Sequence, residues 1–451
     1  MKSLRFESLH QRFIEQHTPS PNDISDKAHD AEPHSFGVHL VALSLTKMGD
    51  ALLDIKLVLP WLLTAVGAPG FFVALLVPLR ESLAMLPQFF IAAWAERVAI
   101  RKSLWSMGCV GQGLCVLGMA VTPWLFSGSR AGWVLVLFLT LFSLSRCLCS
   151  IIIKDVQGKT IDKQHRGRVS GIATSFSGVV AILVAVCLLV GWLSSNSITA
   201  LSILLALAAI CWLVAALVYL CLKEQPSPTR NQSPPFTDRF KQYARLLNQK
   251  PVQRFLIVRG LLISTALVAP FYVVLANRHS EGNISALGLL LLLAGIANFL
   301  SGWFWGKLSD LSSRRVLSLT GVMAFLLAVI AYVGIDQQWE VSKNHLWYGL
   351  ILFVLYITHA GVRLGRSTYL MDMANEHNRT QLVALSNTLI GVFLLVVGAI
   401  TASLGNHSAE QIIRESSMEC SVSFSWTNES FLVGNCLSKN STLFYTADRS
   451  A

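Results

Sequence analysis

Charged residues are scarce in this sequence. They make up 14% of its 451 residues, whereas roughly 25% is usual for a soluble domain. Hydrophobic residues make up 53%, and the mean hydropathy is +0.55. This composition excludes an ordinary soluble globular protein and indicates that lipid surrounds most of the chain.

Motifs of catalytic and metal-binding sites are also lacking. The sequence has no HExxH, GxSxG or CxxC pattern, and its nine cysteines have no histidine at metal-ligand spacing. Gly158, Lys159 and Thr160 resemble the end of a phosphate-binding loop, but Ile153 stands where that loop requires glycine. We therefore expect no enzyme, no metal, no cofactor and no ATP-driven transport. The cysteines in apolar runs are interpreted as packing residues.

The distribution of charge argues against a nucleic-acid partner, although the formal net charge is +11. Lys and Arg concentrate in every second gap between the apolar runs. By the positive-inside rule this pattern predicts a cytoplasmic amino terminus. Residues 1–37 contain no apolar core of a signal peptide, so we expect them to form a cytoplasmic tail.

Eleven apolar segments are each long enough to cross a bilayer core of about 30 Å as a helix. A Pro- and Ser-rich segment, 223–252, separates six of them from five and is predicted to be a cytoplasmic linker. The expected protein is an all-α polytopic membrane protein with halves at 38–222 and 253–405. The predicted spans are 38–62, 70–94, 103–125, 131–153, 169–193, 198–222, 253–276, 284–305, 315–335, 346–369 and 382–405.

A sequence repeat relates the two halves. Two charged loops follow the second and eighth spans, and they hold Glu96, Arg97 and Arg101 in the first loop and Gly306, Asp310, Arg314 and Arg315 in the second. Glu96 and Asp310 are 214 positions apart, and the pair Arg166 and Arg379, after the fourth and tenth spans, is 213 apart. This common offset predicts two parallel six-helix halves.

The second charged loop, Gly306-x-x-x-Asp310-x-x-x-Arg314-Arg315, resembles the signature loop of the major facilitator superfamily of transporters. The first charged loop resembles a degenerate copy of it. This resemblance covers roughly residues 38–405 and implies two six-helix halves, alternating access, a small-molecule substrate and a gating role for both loops. The alternative for their basic residues is plain positive-inside anchoring.

The carboxyl end departs from that family. The repeat offset predicts a twelfth span near 412–436, but this stretch is too polar to insert. Two explanations stay open for the polar tail, 406–451. The abrupt change of composition after Gly405 favours a frameshifted or recombined end, and the alternative is an eleven-span protein with an external tail that carries Cys420 and Cys436.

Ionisable residues inside spans cost at least about 2.5–3.5 kcal/mol each to insert, so each is a candidate functional residue. In the first span Lys47, Asp50 and Asp54 recur at i, i+3 and i+7, which predicts one shared helix face at mid-membrane depth. Asp50 and Asp54 are the proton-coupling candidates, with Asp54 favoured as the deeper residue. Lys47 is a substrate candidate, and a static pair of Lys47 with either carboxylate is the alternative.

The fourth and tenth spans carry further charges. In the family that the sequence resembles, spans 1, 4, 7 and 10 line the central cavity, and the cavity candidates here are Arg146, His359, Arg363 and Arg366, with Arg259 in the first turns of span 7. The guanidinium fork suits carboxylate and phosphate groups and so favours an anionic or zwitterionic substrate. Snorkelling of Arg259 and Arg366 to the interface, and a hydrogen-bonded core role for His359, are the alternatives.

Arg80 and Glu81 lie near the midpoint of the second span. Neighbours on a helix project about 100° apart, so each is expected to have its own partner elsewhere, in a structural or gating role. The stretch from Leu76 to Gln88 is similar to an uncharacterised bacterial branch of the superfamily. In a bacterium the protein would lie in the cytoplasmic (inner) membrane.

These observations predict a secondary active transporter of a small, anionic or zwitterionic solute, with protons as the coupling ion. The alternative is a non-transporting membrane scaffold or receptor of the same fold, or a transporter inactivated by loss of its twelfth span. Charges retained in spans 1, 4 and 10 argue against a scaffold, which would gain little from their insertion cost.

Overall fold

The computed structural model describes residues 26–95, 97–192, 196–226, 244–373 and 379–404. The polar tail, most of the linker and the predicted twelfth span lie outside these ranges. Within them the regular elements are helices, as apolar segments in lipid require, because a helix satisfies its own backbone hydrogen bonds. The predicted all-α polytopic architecture is confirmed.

Nine helices precede the linker. They are α1 (Asp26–Asp30), α2 (Glu32–Leu53), α3 (Val58–Ala65), α4 (Gly70–Met85), α5 (Gln88–Ala95), α6 (Lys102–Leu125), α7 (Gly128–Thr160), α8 (Lys163–Leu189) and α9 (Ser197–Leu220). After the linker the structure describes a short 3-10 helix (Glu340–Lys343) and seven further α-helices. They are α10 (Lys250–Leu261), α11 (Ser264–Leu267), α12 (Ala269–His279), α13 (Ile284–Leu311), α14 (Ser313–Asp336), α15 (His345–Met373) and α16 (Arg379–Leu404).

Ten helical segments of the described chain are long and apolar enough to cross a membrane. They match ten of the eleven predicted spans. The remaining one, 70–94, is split into α4 and α5, because Pro87 has no N–H to donate to the carbonyl of Leu83. Even so, Leu86 N still donates to Ser82 O at 2.8 Å, which closes the last turn of α4.

The first predicted span is also interrupted. Helix α2 ends at Leu53 and α3 begins at Val58. Pro60 explains the break, since it has no N–H for the carbonyl of Lys56 and its ring crowds that turn. The backbone of Asp54 instead accepts hydrogen bonds from Leu57 N at 3.1 Å and Val58 N at 2.8 Å.

The helices fall into two compact units. The first unit contains α1 to α9, the first turns of α13 and the last turns of α16, and the second contains α10 to α12 and the remaining parts of α13 to α16. In the first unit α6 packs against α7 and α9, while α2 packs against α8 and α9. The predicted half boundaries stay a prediction.

Large aromatic side chains fill the first unit. Trp61, Trp105, Trp212 and Tyr219 are fully buried, and the rings of Trp105 and Tyr219 lie 4.0 Å apart. A Cβ at Gly113 of α6 would lie 2.8 Å from Leu213 Cγ, so the small residue lets α6 and α9 approach closely. Apolar residues such as those on the outer faces of α6 and α9 remain exposed, which suits contact with lipid.

The second unit uses the same close packing. Trp305 of α13 is buried and donates its indole N–H to Ile357 O of α15 at 2.8 Å. A Cβ at Gly361 would lie 2.5 Å from both Trp305 and Thr320. Glycine at this position therefore brings α13, α14 and α15 together.

Candidate functional site

An ion pair joins two helices in the middle of the first unit. Arg146 Nη2 of α7 donates to Asp50 Oδ2 of α2 at 2.5 Å. The exposed fractions of the two side chains are 29% and 24%, so both remain partly accessible. The structure thus brings together two residues that the sequence marks separately as a cavity candidate and a proton-coupling candidate.

Lys47 lies one turn before Asp50 but makes its hydrogen bonds with another helix. Its Nζ donates to Ser170 O at 3.3 Å and to Thr174 Oγ1, both on α8. The alternative of a static pair between Lys47 and a carboxylate is therefore not the arrangement observed. Two cations, Lys47 and Arg146, flank the single carboxylate of Asp50, so the group carries a formal charge of about +1 when Asp50 is ionised.

The prediction that Asp54 shares a helix face with Asp50 is wrong. Because α2 ends at Leu53, Asp54 lies in the break before α3. Its Oδ1 accepts the backbone N–H of Lys56 at 2.9 Å. This contact closes a turn, a structural role common for aspartate.

Gln112 of α6 completes the group around Arg146. Its side chain is fully buried, its Oε1 accepts from Arg146 Nη1 at 3.4 Å, and its Nε2 donates to Cys149 Sγ at 3.2 Å. The sequence analysis missed Gln112 and Thr174. The signal for Gln112 was present, since it is an amide inside an apolar span.

Arg80 and Glu81 pair with each other. Arg80 Nη1 lies 2.7 Å from Glu81 Oε1, and both side chains are half-buried. This mutual pair was not expected from the sequence. Two long side chains can close the roughly 100° between neighbouring helix positions.

An ion network occupies the end of the first unit where α6 begins and α7 and α9 end. We call Arg101, Asp155, Lys159 and Glu224 the terminal ion network. Asp155 forms ion pairs with Arg101 Nη1 and with Lys159 Nζ, each at 2.6 Å. Glu224 is buried and accepts the backbone N–H of Arg101 at 2.9 Å and of Lys102 at 2.7 Å.

The terminal ion network contains one residue of the predicted gating loops, Arg101. Arg97 is exposed, and Glu96 lies outside the described residues. Asp155, Lys159 and Glu224 were missed as partners, because their contacts with Arg101 depend on helix packing rather than on spacing along the chain. The network ties the first turn of α6 to the last turn of α7.

The second charged loop connects α13 to α14. Arg314 lies over the ring of Tyr369 of α15 at 5.8 Å, and Ser313 Oγ donates to Asp372 Oδ2 at 2.6 Å. Arg315 is exposed, and its backbone N–H bonds to the Ser312 side chain, which caps α14. Gly306 lies within α13; the side chain of Asp310 is outside the described part of the structure.

The remaining cavity candidates lie in the second unit. Arg259 is buried and donates to Ser386 Oγ and, at 3.0 Å, to Asn387 Oδ1, so it does not snorkel to the surface. His359 Nδ1 lies 3.2 Å from Thr265 Oγ1. On α15, Arg363 is exposed and Arg366 is half-buried.

No group of three or more His, Cys, Asp and Glu side chains in the described ranges has a geometry that could hold a metal ion. The chemistry of the site is instead that of paired charges inside membrane-spanning helices. This combination of fold and site defines a polytopic helical membrane protein with paired ionisable groups on helices long and apolar enough to span a membrane.

The Major Facilitator Superfamily profile matches residues 40–399 of the sequence. The chain therefore belongs to this superfamily and is a membrane transporter by family, as the charged loops predict. No curated protein matches the sequence with significance.

Solved structures of transporters share the fold. The structure of the nucleoside transporter NupG is similar with a TM-score of 0.61 and 13% identity, over 87% of this chain and 99% of that one. A POT family transporter in complex with 5-aminolevulinic acid has a TM-score of 0.66 and 11% identity, over 88% and 96%. A bacterial metal transporter has a TM-score of 0.56 and 13% identity, over 87% and 97%.

Proposed function

We propose that this protein is a secondary active transporter that works by alternating access and couples a small anionic or zwitterionic solute to protons. The observation that carries the proposal is the pair of Asp50 and Arg146, flanked by Lys47, inside membrane-spanning helices. The proposal includes a cytoplasmic amino terminus, which the distribution of Lys and Arg supports.

Charge balance links proton and solute. With Asp50 ionised, its carboxylate compensates Arg146. Protonation of Asp50 removes that compensation and leaves Lys47 and Arg146 as two cations in a medium of low dielectric constant, which is unfavourable. An anionic solute restores the balance by taking the place of the carboxylate on Arg146, and the guanidinium still has unused N–H donors for it. Proton and anion therefore bind together and leave together.

The terminal ion network supports a change between states. Its ion pairs connect α6, α7 and the chain segment after α9 within one unit. Pairs of this kind stabilise one arrangement of helix ends and can be exchanged for others in a second arrangement. We assign the first charged loop a gating role on this basis, and the second charged loop the same role by its place in the repeat.

The experiment measures proton and solute movement in proteoliposomes that enclose a pH-sensitive dye. A panel of organic anions, amino acids, sugars and cationic drugs is added to the wild type, to Asp50→Asn and to the control Glu340→Gln. Glu340 is an exposed carboxylate paired with Lys343, so its loss should leave flux unchanged. We expect proton flux with anionic or zwitterionic compounds that is abolished in Asp50→Asn.

Flux that persists in Asp50→Asn would assign coupling to another group. Absence of proton flux and of solute counterflow in the wild type would contradict the transporter assignment. A stable protein complex recovered with such an inactive wild type would then favour the scaffold alternative.

A further inference from the structure

The side-chain amide of Gln112 lies between a guanidinium and a thiol. On one side its Oε1 accepts from Arg146 Nη1, and on the other its Nε2 donates to Cys149 Sγ at 3.2 Å and to Gly108 O at 3.4 Å. Three elements supply this chain of contacts, because Asp50 of α2 holds the far side of Arg146.

Chemistry fixes the orientation of this amide. A guanidinium has only donors, so the amide oxygen must face Arg146. The amide nitrogen then faces the carbonyl of Gly108 and the sulfur of Cys149, which both accept. Burial of Gln112 at 0% exposure prevents water from replacing either partner. The amide is thus a fixed dipole with its negative end toward Arg146.

We propose that Gln112 is a positioning residue that holds Arg146 in place while Asp50 carries a proton, and so sets the pH at which coupling occurs. The inference rests on the proposed function of the pair. Arg146 has two described acceptors, Asp50 and Gln112. When Asp50 is protonated, it loses its charge and keeps only a neutral carbonyl oxygen as acceptor, whereas the amide oxygen of Gln112 is unchanged and keeps the guanidinium directed toward the site of an incoming anion.

Among the described residues, few charged or titratable groups face Arg146. They are Asp50 and Lys47 from α2, Cys109 from α6 and Cys149 from α7. The two thiols lie 3.8 Å apart behind Gln112. A carboxylate in place of the amide would therefore be the second acid of the group, and it would make protonation of Asp50 easier by compensating Arg146 in its place.

Two substitutions should move the pH profile of transport in opposite directions. Gln112→Glu should shift its midpoint to higher pH by about 0.5–1 unit, because Arg146 keeps a counter-ion when Asp50 is protonated. Gln112→Met keeps the side-chain volume and removes the acceptor, so Arg146 depends more on ionised Asp50 and the midpoint should shift to lower pH. Shifts in the same direction, or none in either variant, would overturn the proposal.

Thermal unfolding of the purified full-length protein tests Gln112 without any transport assay. We expect the Tm loss of Gln112→Met to increase as the pH is lowered from 8, because protonation of Asp50 then leaves Arg146 with one neutral carboxyl group as its acceptor. In an Asp50→Asn background the loss should not change with pH. A merely structural role of Gln112 predicts one pH-independent loss in both backgrounds, and that result would overturn the inference.

The two measurements separate the two proposals. If no flux is found in any variant but the Tm loss depends on pH through Asp50, the coupling function fails while the role of Gln112 in holding Arg146 stands. If flux is proton-coupled but the Gln112 variants change neither the pH profile nor the pH dependence of the Tm loss, the positioning role of Gln112 is contradicted while the proposed transport function stands.

Discussion

The two units hold their embedded arginines differently. In the first unit Arg146 and Arg101 lie against the carboxylates of Asp50 and Asp155. In the second unit the buried Arg259 donates to the neutral side chains of Ser386 and Asn387. A carboxylate partner can be neutralised by a proton, whereas a hydroxyl or amide partner does not titrate in the physiological range. The comparison teaches that pH-dependent contacts are to be sought first in the first unit.

The largest effect is expected from Arg146→Gln. This change leaves Asp50 without its cation and removes the anion-binding group, so proton-coupled flux should fall by about 100-fold. Flux in proteoliposomes between pH 5 and pH 8 is the measurement, with Arg130→Gln as control, because Arg130 is exposed on the same helix. If the flux of Arg146→Gln stays close to that of the wild type, the pair of Arg146 and Asp50 is not needed for transport, and the contrast between the two units loses its functional meaning.

Glu224→Gln should give the next largest effect, on stability. The side chain of Glu224 is buried against Lys159 and accepts two backbone N–H groups at the start of α6. The free energy of unfolding of the variant should therefore be lower by about 3 kcal/mol. Thermal unfolding of the purified protein measures this loss. A Tm equal to that of the wild type would show that the charge of Glu224 does not stabilise the terminal ion network.

Asn387→Leu tests the second unit. It removes a neutral acceptor from Arg259 and should cost about 1.5 kcal/mol, because a hydrogen bond to a charged group is lost. The expected loss is the same at pH 5 and pH 8, in contrast to the variants of the first unit. The matched substitution Asn248→Leu, at an exposed position outside the helices, should have little effect. If the stability loss of Asn387→Leu depends strongly on pH, the contacts of Arg259 are not pH-independent, and the two units do not differ in this respect.

The smallest effect is expected from Asp54→Asn. The amide oxygen of asparagine can still accept the N–H of Lys56, so the turn should survive with a change below about 0.5 kcal/mol and with proton coupling intact. Comparison of its flux with that of Asp50→Asn is the measurement. If Asp54→Asn loses proton coupling, Asp54 is the proton-coupling residue, as the sequence analysis favoured.

The spans were predictable because each needs only local information, a run of apolar residues of sufficient length. Both helix interruptions also had local signals, Pro60 and Pro87, but a hydropathy count does not register them. The misplacement of Asp54 follows directly from extending one helical period across the break before Pro60.

Partner choice was not predictable in the same way. Asp50 and Arg146 could each be marked by the cost of burying a charge, but they are 96 residues apart, and only the packing of α2 against α7 brings them into contact. Glu224 was missed for a different reason, since a glutamate within a predicted polar linker is expected to be solvated. Its burial arises from the helix ends that surround it.

The position of Glu224 has a mechanical consequence. It lies just beyond α9, at the start of the segment that leads to the second unit, and it is bonded to the backbone of α6 and to Lys159 of α7. A displacement of that segment would therefore act on α6, α7 and α9 together, and not on the end of α9 alone. Through the contacts of Glu224 it would reach α7, the helix that carries Arg146.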